Sequence, residues 1–265
     1  MGALDNKVAI VTASTRGIGY ACVEKLAKEG ALVYMACRNL EFAKGRIQPL
    51  LDQGLRVKSV FFEAYENESI VKMVDEVLSN ESRIDILVNN FGGTLPINDL
   101  NITKADHKTF IDYVNVHLST VFLGCQQVIQ KAMIPQESGS IINIGSVAGI
   151  VPDTSQLAYG TSKAAIIHMS KQIAVDVARN NIRCNVVCPG MTSTDAVNLF
   201  LSDEFKEFFL KHTPIRRMSK PEEIADAVAY FATAEHTTGQ VLAVNGGFGI
   251  PTPVYGDQQE SGNVR

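Results

Sequence analysis

Short β-branched and apolar runs alternate with longer helical patterns from one end of this 265-residue chain to the other. The strand-like runs are KVAIVT (7–12), ALVYMA (31–36), RVKSVFF (56–62), IDILVNN (84–90), SIINIGS (140–146), IRCNVVC (182–188) and QVLAV (240–244). Runs that are apolar along nearly their whole length suit strands covered on both faces, and helix-length crossovers between them are what parallel pairing requires. The expected fold is therefore α/β: one Rossmann-type, doubly wound parallel sheet of about seven strands, with helices on both faces and a single domain over 1–265.

The intervening segments read as helices. Ile18, Ala21, Cys22 and Leu26 share one face after the first strand, and Gly30 stops that helix as a C′ glycine. Residues 106–131 carry a long stripe of Phe110, Val114, Leu118, Val121, Phe122, Cys125, Val128 and Ile129. Residues 196–210 place Val197, Leu201, Phe205, Phe208 and Phe209 on a single helical stripe that interrupts the alternation. Ser219 and Glu222 are spaced as a capping box for the helix after it.

Composition narrows the function classes. Hydrophobic residues make up 46% and charged residues 20%, enough for a full core, and the net charge of −4 comes without a basic stripe. Nucleic-acid and anionic-membrane partners are not expected. The apolar runs are far too short to span a bilayer, and the start lacks a signal-peptide pattern. Five scattered cysteines, with no His or Cys cluster, predict free thiols in a reducing cytoplasm and no metal site.

TASTRGIG (12–19) joins the first strand to the first helix, the context in which a glycine-rich turn holds a diphosphate on free N–H groups. Gly17 and Gly19 allow a tight turn. Ala13 stands where a first glycine is usual and is tolerable if its φ stays negative. At the end of the second strand, Met35-Ala36-Cys37-Arg38 offers no acid for a ribose 2′-hydroxyl. Arg16 and Arg38 instead suit a 2′-phosphate, so the cofactor predicted is NADP.

YGTSK places Tyr159 and Lys163 at i,i+4, on one helix face. An ammonium one turn from a phenol favours phenolate, which makes a usable base. Ser146 ends the fifth strand, where it can bond a reacting oxygen. Asn115 sits in an otherwise apolar stripe and needs a polar partner.

Taken together these motifs resemble the short-chain dehydrogenase/reductase family over roughly 5–250. The resemblance implies catalytic roles for Ser146, Tyr159, Lys163 and a proton-relay Asn115. It implies cofactor contacts from Thr12, Ser14, Thr15, Arg16, Gly17, Ile18 and Gly19, from Arg38, and from Asn90 and Gly92 of NNFGG. Tyr159 and Lys163 join them, as do Pro189, Gly190, Thr192 and Thr194 of CPGMTSTD. Glu63 is expected near the adenine. A homotetramer is the family habit.

Several less generic stretches resemble the family's clostridial, NADP-type bile-acid 7α-hydroxysteroid dehydrogenases: ASTRGIG, RIDILVNNFGGT, the DEF to HTPIRRM segment (203–218) and GGFGIPTPVYG (246–256). They imply a steroid substrate. The Phe- and Leu-rich stripe itself reads as a lid, over about 191–215, for a bulky apolar substrate, and the tail, 250–265, is placed to close over it or to reach another subunit. The alternatives are a 3-oxoacyl-thioester reductase, docking through Arg216, Arg217 and Lys220, another hydroxysteroid position, or a non-catalytic NADP sensor.

Overall fold

The structure is a computed structural model and describes residues 2–93, 99–152 and 156–250. Seven strands form one sheet: β1 (Val8–Thr12), β2 (Leu32–Cys37), β3 (Val57–Phe61), β4 (Ile86–Asn89), β5 (Gly139–Ile144), β6 (Ile182–Pro189) and β7 (Val241–Val244). The order is β3-β2-β1-β4-β5-β6-β7 and every pairing is parallel. All seven expected strands are present, each within two residues of its expected start and end. Helices are α1 (Gly17–Lys28), α2 (Leu40–Leu51), α3 (Asn67–Glu81), α4 (His107–Val128), α5 (Ile134–Gln136), α6 (Leu157–Val177), α7 (Asp195–Phe200), α8 (Asp203–Lys211) and α9 (Pro221–Thr233). A π-helical turn at Ile129–Met133 carries α4 into α5.

Alternation along the strands splits the core in two. Ala9, Val11, Val33 and Met35 face α1, α2 and α9, while Val8, Ile10, Tyr34 and Ala36 face α3, α4 and α6. A sheet buried on both sides explains why the strands read as unbroken apolar runs. Gly30 does end α1, as its C′ residue at φ +104. Strand order reverses at β1, whose neighbours are β2 and β4, so a crevice opens beyond the C-terminal ends of that pair.

Three local expectations are corrected. The stripe at 196–210 is two short helices, α7 and α8, because Ser202 caps a new start by accepting from the Phe205 N–H at 3.2 Å. The α9 cap lies one residue later than Ser219 and Glu222 suggest. Lys220 precedes Pro221 and is held extended, and its N–H donates to the Glu223 carboxylate at 2.7 Å. Ala13 adopts φ +52, in the left-handed region, instead of a negative φ. Among the described residues no helix is long and apolar enough to cross a membrane. The tail beyond Ile250, with Pro251, Pro253 and Tyr255, lies outside the described residues.

Candidate active site

The crevice is lined first by backbone. Helix α1 begins after Arg16 with no side-chain cap and no acid in its first turn, so its N–H donors stay available to an anion. Gly17 has φ +55, and a Cβ there would press on the Thr194 methyl at 3.2 Å. A Cβ on Gly19 would lie 2.6 Å from the Asn90 amide nitrogen and 2.7 Å from Ser14 Cα. The loop is therefore closed tightly over strand β4 and admits no side chain at that point. Asn90 staples it: its amide donates to the Thr12 and Ala13 carbonyls, both at 3.1 Å. The Thr12 hydroxyl accepts from the Asn90 N–H at 2.9 Å, and the Ser14 hydroxyl donates to the Val11 carbonyl at 2.7 Å. These two buried hydroxyls shape the loop from beneath.

At the rim, Arg16 and Arg38 are exposed. An acid does reach Arg38: the Glu63 carboxylate lies 3.7 Å from its guanidinium, which corrects the reading that none is near. The cause is register, since Cys37 pairs with Phe61 and the two strands deliver the following residues side by side. A third guanidinium sits behind the loop. Arg46 stacks on Tyr20 at 4.0 Å and donates to the Thr15 carbonyl at 3.1 Å, a fixed cation that the sequence pattern does not reveal.

Strand β5 and helix α6 bring Ser146, Tyr159 and Lys163 together. Ser146 lies just past β5, buried, its hydroxyl accepting from the Ala148 N–H at 3.1 Å. Tyr159 and Lys163 stand one turn apart on α6, with the ammonium 5.6 Å from the phenol ring centre. Lys163 is 1% exposed and donates to the Ile144 carbonyl at 2.7 Å. Burial drives its pKa from the ordinary 10.5 to about 8. Burial also raises the Tyr159 pKa, opposed by a hydrogen bond from Ser146. Loss of solvent is the larger cause, and the expected downward push from Lys163 is not among the influences on the phenol. A Cβ on Gly92, at φ +148, would lie 2.7 Å from Nζ, so the loop after β4 lies directly on the lysine.

Asn115 is not part of this group. It is exposed and accepts from Ser119 at 3.0 Å, while His117, about 200° further around α4, faces inward. Two buried side chains beside Tyr159 escaped the sequence reading. His117 is 2% exposed and packs edge-on against Tyr159, their ring centres 6.0 Å apart. Asp99 is 3% exposed, and its two carboxylate oxygens accept from the Ala158 and Tyr159 N–H groups, both at 2.8 Å. That carboxylate fixes the first turn of α6 from a distant loop, so no local spacing announces it.

Val197, Leu201, Phe205 and Phe209 line the same cleft of about 300 Å³ as Ser146, Tyr159 and Lys163, together with Pro189, Gly190, Thr192 and Thr194. Phe208 is instead exposed and packs on His212. Phe209 stacks on Phe248, ring centres 4.2 Å apart. Thr194 caps α7, accepting from the Val197 N–H at 3.3 Å, and Thr192 donates to the Gly190 carbonyl at 3.1 Å. Among the described residues there is no group of three or more side chains that could hold a metal. All five cysteines are free and buried.

Comparison with known proteins agrees with this geometry. A family model described as enoyl-(acyl carrier protein) reductase matches residues 12–249. The chain is 45% identical to a 7α-hydroxysteroid dehydrogenase of Clostridium sardiniense over 259 residues, 97% of this chain and 98% of that protein. It is 43% identical to one of Paraclostridium sordellii, covering 97% of each. A solved gluconate 5-dehydrogenase from Burkholderia cenocepacia, in complex with NADP and tartrate, superposes with a TM-score of 0.87 at 29% identity, over 94% of this chain and 97% of that one. The chain is an oxidoreductase that belongs to the short-chain dehydrogenase/reductase family.

Proposed function

We propose that the enzyme interconverts a secondary alcohol and a ketone on a bulky apolar substrate with NADP, and that the alcohol is the 7α-hydroxyl of a bile acid such as cholate or chenodeoxycholate. The observation that carries this reading is that one cleft is lined both by Ser146, Tyr159 and Lys163 and by the apolar Val197, Leu201, Phe205 and Phe209. The names of the bacterial relatives support the steroid and the 7α position.

The residues fit a dinucleotide. The uncapped start of α1 leaves backbone N–H donors free where a diphosphate would lie, and Gly17 and Gly19 let the loop turn tightly against Thr194 and Asn90. Arg16 and Arg38 would hold a 2′-phosphate, with Glu63 offsetting one of the two charges. A nicotinamide cofactor, when bound, supplies the electron-pair acceptor for the alcohol carbon.

The chain's own groups manage the proton. Tyr159 Oη takes the alcohol proton in oxidation and returns one in reduction. Ser146 Oγ holds the same oxygen by hydrogen bond. Lys163, pinned by Ile144, places positive charge beside the phenol as its proton leaves. The segments around α7 and α8 act as a lid that keeps water from the apolar face, with Phe209 and Phe248 joining it to the C-terminal segment. We place the enzyme in a reducing cytoplasm, as its free cysteines suit, and as a homotetramer, as its family resemblance implies.

A 3-oxoacyl-thioester reaction is less well supported by charge. Of the three basic residues that would dock an acidic carrier, Arg217 is committed to Glu223 through two contacts of 2.8 and 2.6 Å. Initial rates with NADP, and separately NAD, on chenodeoxycholate, ursodeoxycholate and deoxycholate test the proposal. These carry a 7α-hydroxyl, a 7β-hydroxyl and no hydroxyl at carbon 7. Turnover of the first alone with NADP is expected. Turnover of all three would move the reaction to a shared hydroxyl, and no turnover would remove the steroid. Tyr159→Phe should lower kcat by about 10²-fold or more with NADP binding retained, which separates an enzyme from a cofactor sensor.

A further inference from the structure

Helix α4 carries one polar side chain fully into the reactive group, and it is a histidine. His117 Nε2 lies 3.0 Å from the Gly93 carbonyl. A carbonyl can only accept, so Nε2 carries the proton and Nδ1 is bare. That Nδ1 is buried and has no hydrogen-bond partner among the described residues. The ring is boxed by Phe91 at 5.9 Å, Tyr113 at 6.1 Å and Tyr159 at 6.0 Å, all edge-on. Burial and the nearby Lys163 charge hold its pKa down at about 4, which favours the neutral ring that the Gly93 contact describes.

Packing alone does not account for this residue. A leucine or phenylalanine would fill an aromatic box without leaving a buried ring nitrogen unpaired, so the chain gives up stability to keep an imidazole there. What the imidazole adds is one donor, and it is spent on Gly93. The next residue back, Gly92, is the one that lies against the Lys163 ammonium. The same ring meets the Tyr159 ring almost perpendicularly, at 81°.

We propose that His117 is the positioning residue of α4 for the reacting pair: its Nε2–H clamps Gly93, and so Gly92, onto Lys163, while its ring sets the plane of Tyr159. This rests on the reading of Tyr159 and Lys163 as the groups that handle the proton. The role is not catalytic in the strict sense, since His117 reaches substrate only through those two. It also explains how a site can work with Asn115 turned to solvent.

The test compares His117→Leu, which keeps bulk and loses the donor, with His117→Gln, which carries an amide N–H toward the same carbonyl. Three readouts are needed: kcat and KM across pH for an alcohol the wild type oxidises, NADP affinity by fluorescence, and the ultraviolet titration of the Tyr159 phenol without cofactor. The titration is taken as the difference from Tyr159→Phe in each background, with Ser146, Lys163 and Cys188 as the other polar groups facing the phenol. His117→Leu should lose about 10- to 100-fold in kcat, with KM changed far less, and its phenol should titrate higher. Its melting temperature should not fall. His117→Gln should recover most of the kcat and the wild-type titration.

The proposal is overturned if His117→Leu keeps kcat within about twofold with an unmoved phenol, or if His117→Gln is as impaired as His117→Leu. Should the wild type oxidise none of the three bile acids, the substrate reading fails by itself. The cofactor-free titration then still decides the role of His117.

Discussion

Ala13 holds a backbone conformation that a Cβ disfavours. Its φ of +52 sits at the turn out of β1, with its carbonyl accepting from Asn90. Replacing it by glycine removes the clash and raises backbone entropy in the unfolded chain, and the first effect is the larger. Ala13→Gly should therefore stabilise the protein by about 0.5–1 kcal/mol, read as a rise of roughly 2–4 °C in melting temperature per kcal/mol. Lys163 is the opposite case, a buried cation whose placement costs stability and to which we assign a part in the chemistry. Its pKa is lower folded, about 8, than unfolded, 10.5, so the folded state resists its protonation. The penalty is fully present below pH 8 and fades as pH rises toward 10.5. Lys163→Met should abolish turnover and be more stable than wild type near pH 7, by up to about 3 kcal/mol. Wild type should regain on it between pH 8 and 10 in urea titrations. Arg38 belongs at this scale too. Arg38→Asp leaves two acids beside the 2′ position and should shift preference from NADP toward NAD, measured as the ratio of kcat/KM values. An unchanged ratio would count against the cofactor reading.

At the scale of elements, α6 is held from outside. The Asp99 carboxylate accepts from two N–H groups in the first turn of α6, one of them on Tyr159 itself. Asp99→Ala should cost about 1–3 kcal/mol by denaturant unfolding and lower kcat by about tenfold, since the phenol loses its anchor. Asp99→Asn, which retains one acceptor, should fall between. Elements differed in how plainly the sequence announced them. Strands were legible because a doubly covered sheet writes itself as unbroken apolar runs. Tyr159 and Lys163 were legible because i,i+4 spacing is a local signal. Asp99, His117 and the Arg38–Glu63 contact were not, because each depends on which segments the sheet brings side by side. Asn115 was misplaced for a related reason: a stripe of apolar residues gives a helix's period, but two residues of error in phase turn a side chain to the opposite face. The break between α7 and α8 was hidden by the same regularity, since Ser202 does not disturb the apolar spacing that runs through it.

For the whole molecule, the order β3-β2-β1-β4-β5-β6-β7 has a consequence for how the protein is made. Each strand, in the order in which a ribosome releases it, adds to an outer edge of what is already paired. β2 and β3 extend one side of β1, and then β4 through β7 extend the other. No strand has to be inserted between two that have already joined, so vectorial synthesis never needs a pairing undone. The exposed moment comes early. Until Ile86–Asn89 emerges, the free side of β1 is an unpaired apolar edge, of the kind that sticks to other chains. The same crevice that later receives the ligands is thus, in the nascent chain, the seam where a chaperone's protection matters most.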